Sequence, residues 1–503
     1  MTGGKGALIA AVFSAALLAP FVGEAWHVDE PFFLDVAAGK PAPANPAWPE
    51  LNNNPPLLLP LLSAARRATG GGEAPMRLFF LPFDLLAAAS LYLLAARFLK
   101  RPLVPALVAI ASPAYLINLG HLMAEKPAAA LAFFGLWLYV KGLDDDEPLA
   151  FWAAAAAFAA ASLSKYLVVF APAAAFCYGW SRGKPRGRLA AHAALSLVPL
   201  AVFFLVEPAA LSAVRTVSSG AAGGLWSAPS HRLRAFLAFT GGCAAGASLW
   251  CGAAPRRVWA ASAACAAALF LPWFDLAPVR GLDRALGAAF SAAGLVGLAR
   301  AARLWGPRSK GGALWAAWAG FAGVLCLAYW CVMARTVLFV LPPVIFALAE
   351  ALEARARAPR RELAALAVSV PLSLALAAVD ARYAGAQREM AERAAGFAQG
   401  GRVWSAGHLG LRYYLERAGA EPVDWALVRP GDAVVSSATN SALGRPPRPI
   451  PARVDTVDVD EPIPLRLISL GRDEAGFYSS IGGFLPFTVS REPVERFIVV
   501  RPR

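Results

Sequence analysis

The chain has 503 residues, is 58% hydrophobic and only 16% charged, and has a mean hydropathy of +0.53. That excludes an ordinary soluble domain and a disordered chain, and apolar stretches near 20 residues recur along most of it, so the expected fold class is a polytopic α-helical membrane protein. The net charge of +14 does not indicate nucleic acid, because the Lys and Arg gather in short loops between apolar stretches.

Taken in order, spans are expected near residues 7–25, 75–97, 103–119, 125–141, 148–163, 165–180, 189–206, 233–252, 257–274, 284–302, 312–332, 336–352 and 362–379, thirteen in all. The first stretch has a lone Lys5 before it and no small-residue cleavage site, and it reads as a retained span. It runs into Trp26-His27-Val28-Asp29-Glu30, an acidic pair where the chain leaves the bilayer. Carboxylates are costly near lipid, so such a pair faces protein or water. A long loop, 26–74, follows. Pro55 and Pro56 there suit a helix start, with Asn54 as N-cap, and 57–67 reads as a short interfacial helix.

Basic clusters at Arg97/Lys100/Arg101, Arg182/Lys184/Arg186/Arg188, Arg256/Arg257, Arg300/Arg303/Arg308/Lys310 and Arg355/Arg357/Arg360/Arg361 fall on alternate loops. The positive-inside rule makes those loops cytoplasmic, with the N-terminus on the same side. The loop 141–147, with Asp144, Asp145 and Asp146, fits this least well. The other side receives the first loop, the turns at His121–Lys126, Ser164–Tyr166 and Arg335, a Gly-rich loop at 207–232, and everything after Asp380. From 381 the composition changes. An amphipathic helix (381–397), strands near 402–405, 433–435, 465–470 and 496–500, and a helix at 409–418 predict a small external α/β or α+β domain over 381–503, behind a membrane unit of 1–380. The six cysteines lie in or near apolar segments and suggest neither a disulfide framework nor a metal motif.

The chemistry-bearing candidates all fall at external loop edges: Asp29, Glu30, Glu125, Lys165 and Arg335. Each has a plain structural reading: a snorkelling lysine for Lys165, a helix C-terminal charge for Arg335, a helix N-terminal charge for Glu125. Together they put two cations and several carboxylates on one surface. That suits an anionic, lipid-linked substrate, with the cations holding a phosphate and a carboxylate taking a proton. His27 and His121 lie beside the acids. A metal site built from His27, Glu30 and His121 is conceivable, although its spacing matches no standard motif. There is no glycine-rich nucleotide loop, serine elbow or zinc-protease motif.

In these pieces the chain resembles the GT-C-fold bacterial membrane glycosyltransferases related to protein O-mannosyltransferases and aminoarabinose transferases (glycosyltransferase family 39-like). Asp29-Glu30 is similar to the family's first-loop acidic motif, and Pro55-Pro56-Leu57 to the start of its juxtamembrane helix. Met123-Ala124-Glu125-Lys126-Pro127 resembles the second acidic motif, Ser164-Lys165-Tyr166 with Pro172 the Lys-containing span start, and Arg335 with Leu341-Pro342-Pro343 a late Arg-Pro motif. Thr336-Val337 departs from that motif, where an aromatic is usual. The resemblance implies a polyprenyl-phosphate sugar donor, a glycan, lipid or protein acceptor, and inverting transfer at the outer face of the cytoplasmic membrane. Asp29 would be the base. Glu30, Glu125, His121 and Tyr166 would shape the substrate pocket, with a divalent ion as a conceivable cofactor, and Lys165 and Arg335 would grip the phosphate. Two other classes compete. A lipid-linked oligosaccharide polymerase or ligase favours Arg and His over paired acids. A secondary transporter holds its charges near the midplane of repeated halves, and no such repeat is visible.

Overall fold

The computed structural model describes residues 3–27, 29–39, 55–212, 228–251, 255–275, 278–305, 309–353, 358–407, 409–439 and 451–503. Asn54 and residues 213–227 of the Gly-rich loop, both part of the reading above, lie outside that set.

Every expected span falls on helix, but several are broken. The stretch 103–119 is two helices, Leu103–Ile110 and Pro113–Gly120, bent by 56°. Ser112 caps the second one and Pro113 opens it, which suits a first helical turn. The stretch 336–352 begins with a one-turn helix, Ala334–Val337, and resumes at Leu341–Glu353. Five of the described helices are long and apolar enough to cross a membrane, or six with the bent pair as one span. Helix length alone therefore does not carry the number thirteen. Apolar side chains face outward: Leu8, Val12, Val198, Val202, Leu205 and Val206 are each about half exposed or more. In water such a surface would be unfavourable; against lipid it is expected.

The helices have two chemically different ends. Helix α1 (Glu73–Phe98) has Arg77 near its start and Arg97 near its end. Helix α2 (Glu125–Asp144) runs from Glu125 to Asp144. At the far end Arg97 pairs with Asp145 (2.5 Å), Arg182 with Asp144 (3.4 Å) and Arg101 with Glu362 (3.1 Å). The acids of loop 141–147, which fitted the charge rule least, thus neutralise the basic loops around them.

A helix is present at the expected 57–67, as α3 (Leu58–Thr69), and it buries Leu58, Leu62 and Ala65 on one face. Gly70, at φ 77°, ends it in the left-handed conformation that glycine adopts without a Cβ penalty.

The boundary expected at 380/381 is not a break in the chain. A single helix, α4 (Ala358–Arg393), continues through it for 36 residues, about 54 Å. Beyond it lies a five-stranded sheet in the order Glu421–Pro422, Val403–Ser405, Ala433–Ser437, Glu495–Pro502, Ala452–Val459. The first three strands are mutually parallel, and Glu495–Pro502 runs antiparallel to both its neighbours. The strand Ala452–Val459 was not anticipated. Arg453, Asp455 and Asp458 interrupt its apolar residues, as an edge strand tolerates, and that weakens its hydrophobic signal. The strand expected at 465–470 is only Leu465–Arg466, paired with Thr488–Val489. Between those two short strands the chain leaves the sheet. Leu467, Phe477, Phe484, Leu485 and Phe487 join the hydrophobic core of the membrane helices.

Candidate active site

Four of the sequence candidates form one string of charges. Arg335 Nη1 donates to Asp29 Oδ2 at 2.8 Å, and its Nε lies 3.8 Å from Glu125 Oε1. The same Glu125 oxygen lies 2.9 Å from Lys165 Nζ. The four residues come from four chain segments, each at a helix edge. Asp29 precedes the helix Glu30–Ala37, Glu125 opens α2, Lys165 precedes the one-turn helix Tyr166–Val169, and Arg335 sits in the one-turn helix Ala334–Val337. Glu125 is fully buried, Lys165 and Arg335 mostly so, and the Asp29 side chain is 31% exposed. Arg335 Nε also donates to Met333 Sδ at 3.1 Å.

The remaining candidates have other surroundings. Glu30 faces inward. Its carboxylate accepts from the backbone N–H of His27 (2.6 Å) and Leu122 (2.7 Å) and pairs with buried Arg77 at 3.2 Å. Burial works against its charge, but Arg77, His121 and the two amides hold it below the usual carboxylate range. Glu30 thus locks the acidic turn to the His121 turn. Tyr166 stacks on Phe204 (5.2 Å between ring centroids), and its buried hydroxyl has no hydrogen-bond partner among the described residues.

His121 lies in a second, adjoining cluster. His27 and His121 stack nearly parallel, 4.7 Å apart, and both direct Nε2 at Asp380, at 3.1 and 3.0 Å. Glu24 Oε1 is 3.7 Å from His121 Nε2. Burial alone would depress the His121 pKa; Asp380, Glu24 and Glu30 outweigh it and push it up to about 10. Among the described residues the metal-capable set is His27, His121 and Asp380, with ligand atoms within 4.8 Å of one another. Glu30, the expected third ligand, is outside it, because Arg77 and two amides already hold its carboxylate.

The C-terminal segment closes this side. Tyr478 donates to Asp380 Oδ1 at 2.5 Å, and its neighbours are bonded to the extended segment leading to Arg335. Ala334 N–H donates to Phe477 O (2.9 Å), Ser480 N–H to Val332 O (2.8 Å) and Val332 N–H to Ser480 Oγ (3.0 Å). A recess lined by His27, Asp29, Asn118, His121, Met123, Arg335 and Tyr478 lies between the two clusters.

Several partners were missed in the sequence: Arg77, Asp380, Tyr478, and the buried pair Lys126–Asp84 (2.9 Å). Arg77 and Asp84 stand inside an apolar run, and Asp380 ends one. Charges in such positions were a usable signal. Tyr478 gave no comparable signal, because it reaches the site only through the fold of the tail.

Residues 53–211 match the family model of the dolichyl-phosphate-mannose-protein mannosyltransferases. That stretch contains Pro55-Pro56-Leu57, Glu125 and Lys165, three of the motifs on which the resemblance rests, and the match supports a glycosyltransferase of that kind. Two solved structures are similar at 16% identity: ArnT from Cupriavidus metallidurans in the apo state (TM-score 0.41, covering 86% of this chain and 93% of that one) and bound to undecaprenyl phosphate (TM-score 0.43, 87% and 93%). No curated protein matches the sequence.

Proposed function

We propose that the chain is an inverting glycosyltransferase that takes a sugar from a polyprenyl-phosphate donor at the outer face of the cytoplasmic membrane and passes it to a hydroxyl or amine acceptor. The observation that carries this reading is the string Asp29–Arg335–Glu125–Lys165, two cations and two carboxylates at one edge of the helices.

A phosphate on this rim would compete with Asp29 and Glu125 for the two cations. The donor's phosphodiester is a monoanion whose oxygens accept charge-assisted hydrogen bonds, a guanidinium fork suits it, and it gains a second negative charge as it leaves. Donor binding would then draw Arg335 from Asp29 and leave that carboxylate free as a base. The acceptor oxygen or nitrogen attacks the anomeric carbon, the bond from that carbon to the phosphate oxygen breaks, and the acceptor proton passes to Asp29. Polyprenyl phosphate leaves with the bonding electron pair, held by Lys165 and Arg335, and no acid is needed on that side. The family match over 53–211 supports a lipid-linked donor. By the same reading the N-terminus is cytoplasmic and the C-terminal segment external.

Binding of polyprenyl phosphate to the purified protein in nanodiscs tests the clamp. Lys165→Ala and Arg335→Ala should each weaken it about tenfold or more, the loss of one charge-assisted contact. Unchanged affinity in both variants would remove the phosphate clamp.

A further inference from the structure

Glu24, His27, His121 and Asp380 meet in a region sealed from solvent, beside the Asp29–Arg335 pair but not part of it. Each of these side chains is about 5% exposed or less. Both imidazoles aim Nε2 at one carboxylate, and the three ligand atoms lie within 4.8 Å of one another. Buried Glu24 Oε1 makes no hydrogen bond, and buried His27 Nε2 meets only Asp380 Oδ1, at 3.1 Å and poorly aligned. Buried polar atoms are ordinarily satisfied, so an orphaned carboxylate oxygen and a poorly bonded imidazole aimed into one cluster point to a missing partner. Two buried carboxylates need positive charge beside them, which protons on the imidazoles or a bound dication supply.

We propose that this cluster binds one divalent metal ion of the zinc class, with His27, His121 and Asp380 as ligands and Glu24 as the fourth. The dication takes the place of the protons that would otherwise balance the two carboxylates. Two imidazoles with carboxylate oxygens suit zinc or iron(II) better than magnesium or calcium, which prefer all-oxygen shells. Tyr478, donating to Asp380, would orient that ligand from outside, as outer hydrogen bonds do at metal sites. The ion would clamp the turn carrying Asp29, the turn at 121 and helix α4, three segments far apart in the chain. This site does not depend on the proposed reaction.

The test is metal content of the full-length protein in nanodiscs, equilibrated with zinc and then desalted. One equivalent per chain is expected. X-ray absorption of that sample should show imidazole nitrogen and oxygen ligands at about 2.0–2.1 Å, with no sulfur. His27→Gln and Asp380→Asn should each lower zinc affinity at least tenfold, while His192→Gln, a buried histidine elsewhere, keeps it. Wild-type protein that is folded yet retains no zinc overturns the proposal, as does zinc bound through sulfur or retained at full affinity in both cluster variants. The absorption spectrum of the wild type decides the matter even where a variant fails to fold.

Discussion

Neighbouring carboxylates at residues 29 and 30 have different surroundings. Asp29 is partly open and has one cation; Glu30 is buried under Arg77 and two amides. Substitutions should separate them. Arg77→Ala leaves the buried Glu30 carboxylate without its cation, and breaking such a pair costs about 3–5 kcal/mol. Thermal unfolding in nanodiscs should fall clearly for Arg77→Ala and change little for Asp29→Asn; equal effects would contradict the distinction. The sequence marked both acids but could not separate them. The partners that do so, Arg77 and Arg335, are 47 and 306 positions from their carboxylates.

Helix packing is set by small residues where backbones approach closely. The helices Pro229–Cys243 and Gly281–Arg303 cross at Gly241 and Gly294. A Cβ on Gly241 would run into the carbonyl of Phe290, and one on Gly294 into that of Leu237. Backbone cannot yield as a flexible side chain does, so Gly241→Ala should cost about 1–3 kcal/mol. Gly320→Ala, where a Cβ meets nothing, should be neutral; the two unfolding temperatures check this. At this scale the sequence was most legible. Apolar runs marked where helices lie, and Pro113 and the prolines at 342–343 accompany helix starts or breaks. It was least legible at residue 380, where an apolar helix passes into an amphipathic one with no change of backbone, so a shift in composition resembled a boundary.

Across the whole molecule, the tail is built into the membrane unit. The segment between Leu465–Arg466 and Thr488–Val489 places Tyr478 at the candidate site and Phe484 and Phe487 in the helix core. The same segment holds Glu474, whose pKa is raised to about 7 by burial, with Asp283 and Asp275 adding to the rise and Arg234 and the Phe484 amide opposing it. A carboxyl raised above its unfolded value favours the folded state while protonated. That contribution is full below about 4.5 and is lost as pH rises through about 7. The unfolding temperature should therefore fall between pH 5 and 8, and Glu474→Gln should flatten that part of the profile. An identical slope in the variant would remove Glu474 as its source. The tail's role was not legible in sequence, because a local pattern predicts strands and helices but not which loop leaves a sheet to enter another core. The convergence of Asp29, Glu125, Lys165 and Arg335 was legible, because charges at the ends of apolar runs and the bias of basic loops both report the same end of the helices.

The most direct measurement of the central claim is sugar transfer by purified protein in nanodiscs, with radiolabelled polyprenyl-phosphate sugars as donors and a membrane extract as acceptor. The account predicts transfer from at least one donor, reduced about 10²–10⁴-fold in Asp29→Asn with donor binding retained. Folded wild-type protein that binds these lipids yet transfers no sugar from any of them, or an Asp29→Asn variant as active as wild type, would contradict it.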